Sequence, residues 1–265
     1  MLPKNSFICI GILIAFGIIF PLIVAIVWVI KKKERFTTVL IGALTWLIFA
    51  IVLESIPKSF ILSPTNPLGA FLANNIFLLS VVAALLAGLF EEIGRYIIFK
   101  TFLEKRTNKE TAISQGIGHG GFEAMFLLLN AGIQLMVFAI MIEKGTFNQM
   151  IDTIVAAGGD PSNLTVIPEQ LQTMSLSNNL AACFERCMAM LLHVGLSIIV
   201  FTSVRKKKIG LLILAILLHA LIDIPAALYQ FGVLNLFITE IIISVYAIIV
   251  FCFAYKRYYQ DLQNE

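Results

Sequence analysis

Seven runs of this chain are apolar over close to 20 residues or more, the length that a helix rising 1.5 Å per residue needs to cross a hydrocarbon layer about 30 Å thick. They fall at residues 7–30, 37–53, 71–99, 112–142, 180–204, 209–229 and 233–255. Within lipid, backbone N–H and C=O groups must be satisfied inside the chain, and for runs of this length the helix does so. The expectation is an all-α fold, a polytopic integral membrane helical bundle that makes one transmembrane domain over residues 1–265. Of these 265 residues 59% are hydrophobic and 13% charged, and mean hydropathy is +0.94. A water-wetted surface needs about twice that share of charge. A nucleic-acid module, an ordinary cytosolic enzyme and a secreted disulfide scaffold are therefore excluded, and the surrounding partner is the lipid bilayer. Cys9, Cys183, Cys187 and Cys252 all lie in apolar runs and read as small buried hydrophobes rather than bridges.

Charge fixes the expected orientation. Lys31, Lys32, Lys33 and Arg35 follow the first run, which makes it a retained helix with its basic end in the cytoplasm. Every second loop repeats the pattern, with Lys100, Lys105, Arg106 and Lys109, then Arg205 to Lys208, then Lys256 and Arg257. The N-terminus is expected outside and the C-terminus in the cytoplasm. Residues 54–70, with Pro57, Pro64 and Pro67, read as extended or broken; a re-entrant piece there would raise the count from seven to eight. Residues 143–179 read as an extracytoplasmic loop with room for a short surface helix.

Of the 19 lysines and arginines, Arg95 and Arg186 alone fall within apolar runs, and they have company. Glu91, Glu92, Glu123, Glu185, Asp223, Glu240 and all three histidines, His119, His193 and His219, are there too. An ionisable residue near mid-bilayer costs about 2.5–3.5 kcal/mol on insertion scales, so by default it marks a pathway or a site. Counted from the nearest basic loop, Glu91 lies nine residues in, His119 ten, His219 eleven and His193 twelve. At the helical rise these are depths of roughly 13–18 Å, one layer shared by four helices. Glu123 and Asp223 follow His119 and His219 by four residues and so share their faces. Arg95 projects between Glu91 and Glu92, so one guanidinium can hold both carboxylates, or hold one and leave the other as a base. Glu185 beside Arg186 reads as a structural ion pair, and Glu240 as a packing or interfacial residue.

A glutamate-activated water surrounded by imidazoles is equipment for amide hydrolysis. The soluble zincin pattern HExxH is absent. EEIGRY, GHGGFE, the single His193 and HALID together resemble the YhfC-type membrane peptidases, a group similar to PrsW proteases and to the type II CAAX prenyl endopeptidase (CPBP) superfamily. The resemblance runs from about Phe71 to Tyr255. It implies an intramembrane endopeptidase in a bacterial plasma membrane, acting on a membrane protein or peptide. Carried over, Glu91 activates water, His119 holds water or the oxyanion, and His219 with Asp223 forms the last element, the oxyanion site, with Glu92, Arg95, Glu123 and His193 in support. Arg95 follows the second glutamate by three residues, a PrsW-like spacing that leaves the choice of base between Glu91 and Glu92 open. Asp223 stands where asparagine is common, and a carboxylate donates no hydrogen bond unless protonated. His119, His193 and His219 with a carboxylate would complete one zinc site, whereas a glutamate-type peptidase needs no ion.

Two readings compete from other classes. A divalent-cation or proton-coupled transporter would also place His and Glu at i, i+4 in mid-membrane, but it should string ionisable groups through the full depth, with broken helices in both halves. A non-catalytic scaffold would use the polar layer to recruit a partner.

Overall fold

The computed structural model describes residues 1–263; Asn264 and Glu265, and with them the C-terminus itself, lie outside the described residues. Twelve α-helices follow one another, with no strand among the described residues. They are α1 (Lys4–Lys32), α2 (Phe36–Trp46), α3 (Ser55–Ile61), α4 (Pro67–Ala73), α5 (Ile76–Lys100), α6 (Glu110–Glu143), α7 (Phe147–Ala156), α8 (Ser162–Thr165), α9 (Ile167–Gln172), α10 (Leu176–Arg205), α11 (Ile209–Gln230) and α12 (Leu236–Ala254). Seven stretches are long and apolar enough to cross a membrane: Lys4–Lys32, Phe36–Ile61, Ile76–Lys100, Glu110–Glu143, Leu176–Arg205, Ile209–Gln230 and Leu236–Tyr259.

The proline-bearing stretch resolves into two pieces. A wider π-helical turn over Leu47–Leu53 carries α2 directly into α3, so the second span is longer than the apolar run suggested. Pro57 sits in the first turn of α3, where its missing N–H is tolerated, and the Ser55 hydroxyl donates to Val52 O at 2.9 Å. Pro67 then opens the separate α4 at its first position, with Asn66 accepting from Gly69 N at 2.8 Å. The run at 71–99 is not continuous. It breaks at Asn74 and Asn75, because the Asn75 side chain caps α5 by accepting from Leu78 N at 3.0 Å. Residues 143–179 hold three short helices, α7 to α9, with Gly145 (φ +71°) and Gly158 (φ +78°) closing the helices before them. At the start of α8 the Ser162 backbone and hydroxyl both donate to Asp160, which holds that exposed carboxyl below its ordinary range.

The helices sort into two compact units, Met1–Phe20 with Ala124–Phe184, and Pro21–Glu123 with Glu185–Glu265. In the first, Leu2, Ile10, Ala139 and Leu171 form one apolar cluster and Leu13, Leu128 and Cys183 another. Polar ties cross it: the Ser6 hydroxyl donates to Leu171 O at 2.5 Å, and Asn179 donates to Cys9 O at 2.8 Å.

In the second unit α10 is the inner helix, with every residue from Leu192 to Ser203 buried. Helix α12 is outward-facing, with Ile241, Val245 and Ile248 exposed along one stripe. Cys252 continues that stripe and is exposed, a correction to its reading as a buried hydrophobe. In lipid both faces of a helix are apolar, so hydrophobicity does not tell inside from outside. Helices α5 and α11 pack along much of their length, and Gly88 makes this possible: a Cβ there would stand 2.7 Å from Ile216 O and 3.1 Å from Ala220 N. Gly120 does the same for α6 on α10, where a Cβ would meet Met190 Cα at 2.9 Å and His193 Cβ at 3.0 Å. Small residues let membrane helices approach where no hydrophobic force drives them together.

Gly88→Ala should lower the thermal unfolding temperature, since its methyl meets backbone that cannot give way, at about 1–3 kcal/mol. Gly11→Ala, with nothing within 4 Å, should not lower it. Equal effects of the two would remove the packing role assigned to Gly88. For topology, cysteines placed at Asn163 and Asp261 should be labelled by an impermeant thiol reagent from opposite sides of the membrane; labelling from one side would overturn the orientation read from the basic loops.

Candidate active site

Four helices of the second unit supply the polar layer. Glu91, Glu92 and Arg95 come from α5, His119 and Glu123 from α6, Glu185, Arg186 and His193 from α10, and His219 and Asp223 from α11. Glu92, Arg95 and His119 have no exposure at all, and His193 and His219 are buried. Close approach at Gly88 and Gly120 sets α11 and α10 at the distance where these side chains meet.

The two glutamates have different surroundings. Glu92 accepts from Arg95 Nη1 at both carboxylate oxygens, and its Oε1 lies 2.7 Å from His219 Nδ1. Glu91 has no arginine partner among the described residues; its Oε2 lies 2.8 Å from His119 Nε2 and 3.9 Å from His219 Nε2. One carboxylate is pinned and the other faces imidazoles.

Hydrogen-bond roles fix the tautomers. An arginine only donates, so Arg95 Nη2, 3.1 Å from His193 Nδ1, makes that nitrogen the acceptor. His193 Nε2 carries the proton and faces Glu123 Oε2 at 2.5 Å. His219 donates through Nδ1 to Glu92, and in the neutral ring that tautomer leaves Nε2 as a lone pair, 3.5 Å from Asp223 Oδ2. Asp223 retains 35% side-chain exposure and is the most open member of the layer. Two buried nitrogens of the layer, Arg95 Nε and His119 Nδ1, have no hydrogen-bond partner.

Arg186 bonds to Glu185 and also donates to Glu123 Oε1 at 2.9 Å. The pair read from sequence is thus one end of a chain that runs through Glu123 to His193. Neighbour spacing on a single helix carries no signal for that link, because Glu123 and Arg186 sit on different helices. Tyr246 of α12 was equally invisible; its hydroxyl donates to Leu218 O at 2.9 Å, beside His219.

A family model described as "YhfC intramembrane metalloprotease" matches residues 15–243, which include every residue of this layer. The chain belongs to the YhfC family. The "Uncharacterized membrane protein YhfC" of Bacillus subtilis (strain 168) is 33% identical over 225 residues, covering 84% of this chain and 85% of the relative. No solved structure matches. The YhfC description implies a metal, and the donor set fits one: Glu91, His193 and His219, all buried, bring ligand atoms within 4.8 Å of one another. Two imidazoles and a carboxylate are a zinc-type set that keeps a fourth position open. Each of the two histidines also has one nitrogen on a carboxylate, Glu92 for His219 and Glu123 for His193, the outer-shell arrangement that orients ligating imidazoles; His193 would ligate through Nδ1, so Arg95 Nη2 would give up its contact there when an ion binds. His119, which sequence placed among the ligands, is outside that group, with its Nε2 2.8 Å from Glu91 Oε2.

Arg95 is the buried countercharge of this YhfC layer. Arg95→Met should cost about 3–5 kcal/mol by leaving Glu92 uncompensated, and adding Glu92→Leu should restore part of it, read from thermal unfolding of the purified protein. A double variant no more stable than the single would show that Arg95 acts through something other than Glu92.

Proposed function

We propose that this chain is an intramembrane endopeptidase of the metallopeptidase type, hydrolysing a peptide bond of a membrane-embedded or membrane-proximal substrate. The observation that carries the reading is the Glu92–His219 contact, 2.7 Å at Nδ1, which in the neutral ring leaves Nε2 of His219 as a lone pair 3.9 Å from Glu91 Oε2. A neutral histidine in that tautomer accepts and ligates; it does not donate to an oxyanion. His219 is therefore assigned as a ligand rather than as the oxyanion donor implied by the CAAX resemblance.

Glu91, His193 and His219 would hold the divalent ion. When bound, such an ion polarises a carbonyl and makes water acidic enough to attack near neutral pH. The rest falls to the side chains. Glu92 is committed on both oxygens to Arg95 and His219, so Glu91, which would give one oxygen to the ion, takes the proton of the attacking water with its other oxygen and returns it to the departing amine nitrogen. His119 Nε2, 2.8 Å away, holds that carboxylate in place. Glu123, itself held by Arg186, orients His193. Asp223, half-open at the edge of the layer, positions the substrate side of His219. The bilayer keeps bulk water away, so a peptide segment must unfold locally to expose its backbone here.

The deciding experiment joins metal analysis of purified protein with cleavage of a reporter transmembrane peptide. Wild type should retain about one zinc per chain and lose cleavage on chelation. Glu91→Gln should lower cleavage by 10²-fold or more. Glu92→Gln and Glu123→Gln remove no ligand but should weaken metal affinity about 10–100-fold. Full cleavage by Glu91→Gln and Glu92→Gln, together with loss of ion uptake into vesicles, would overturn the peptidase reading in favour of a transporter.

A further inference from the structure

Among the described residues, two hold a positive φ without being glycine, and both are lysines: Lys33 (φ +54°) and Lys207 (φ +51°). Helix ends normally give the left-handed position to glycine or asparagine, because a larger side chain is strained there. Each of these lysines lines a cavity in the second unit, Lys207 one of about 570 Å³ and Lys33 one of about 660 Å³. Both cavities lie at helix ends bordered by the basic loops.

The cavity at Lys207 has the clearer chemistry. Lys100 at the end of α5, Arg205 at the end of α10 and Lys207 in the turn before α11 supply positive charge, and none of the three pairs with a carboxylate among the described residues. Glu104 also lines the wall and leaves the balance positive. The remaining surface is apolar, from Tyr96, Phe99 and Ile209, with Ile209 exposed. Cations in the last turn complement the helix dipole, but Arg205 in the last turn of α10 already does so. That need accounts neither for a lysine at the strained position itself nor for the cavity it faces.

We infer that this cavity binds a phosphate group, and that the group is the anionic headgroup of a membrane lipid. Arg205 presents the planar fork that matches phosphate, and Lys100 and Lys207 add point charges around it. The apolar half of the wall meets the start of the acyl chains, which a free phosphate does not have. Basic cavities between spanning helices at the membrane surface are suited to such headgroups. A bound lipid ties together the ends of α5, α10 and α11, the helices that carry Arg95, His193 and His219. The inference does not rest on the peptidase reading.

The full-length protein in phosphatidylcholine nanodiscs, with and without phosphatidylglycerol, tests it by thermal unfolding and by native mass spectrometry. Phosphatidylglycerol should raise the unfolding temperature, and one such lipid should remain bound. Lys100→Gln, Arg205→Gln and Lys207→Gly should each weaken lipid affinity about fivefold, whereas Lys256→Gln, away from the cavity, should not. Lys207→Gly also separates a binding role from a folding one. Relief of strain should stabilise it in pure phosphatidylcholine while the gain from phosphatidylglycerol shrinks. If that gain stayed intact, Lys207 would be only a helix cap and the proposal would fall. If millimolar inorganic phosphate in phosphatidylcholine reproduced the whole effect, the lipid would be overturned as the source.

Discussion

The contact on which the polar layer depends is the Arg95–Glu92 pair, both members without solvent exposure. Moving either charge alone out of water would cost several kcal/mol, and a buried pair repays that only when further hydrogen bonds satisfy what is left. Here the same guanidinium reaches His193 Nδ1, and the same carboxylate accepts the hydrogen bond of His219 Nδ1. One ion pair on α5 therefore sets the tautomer of an imidazole on α10 and of another on α11. Without it His219 loses the partner that defines its donor side, and His193 keeps only Glu123 to define its own.

The pair also divides the labour between adjacent glutamates. Sequence presents Glu91 and Glu92 as near equivalents, since Arg95 projects between them. In the fold Arg95 and His219 saturate Glu92, while Glu91 is left facing His119 and the Nε2 of His219. Reactivity follows from what the neighbour lacks: a carboxylate engaged at both oxygens by an arginine and an imidazole can orient but cannot easily accept a proton.

Close helix packing makes such contacts reachable. Imidazole and carboxylate side chains span only a few ångströms, so four helices can share them only where backbones nearly touch. Gly88 and Gly120 are those places, one beside His219 and the other beside His193. The glycines around GHGGFE belong to the chemistry as much as the histidine does, because a methyl at Gly120 would push against the His193 ring.

The sequence by itself determined the class of the molecule, because lipid admits few structures. Seven spans, the helical layer and its membership were legible from run length, from the cost of charge in hydrocarbon and from helical depth. Span ends were less so: Asn75 breaks a run that hydropathy reads as continuous, and the π-turn at Leu47–Leu53 extends one that it reads as short. Cys252 could not be placed, since a helix in lipid is apolar on its buried and exposed faces alike. Only tertiary structure decided the partners across helices. Depth along an axis follows from counting residues, but rotation about that axis and the choice of neighbour do not. That is why the link of Arg186 to Glu123, the contact of His119 with Glu91 and the grouping of Glu91 with His193 and His219 emerge only when α5, α6, α10 and α11 are packed together.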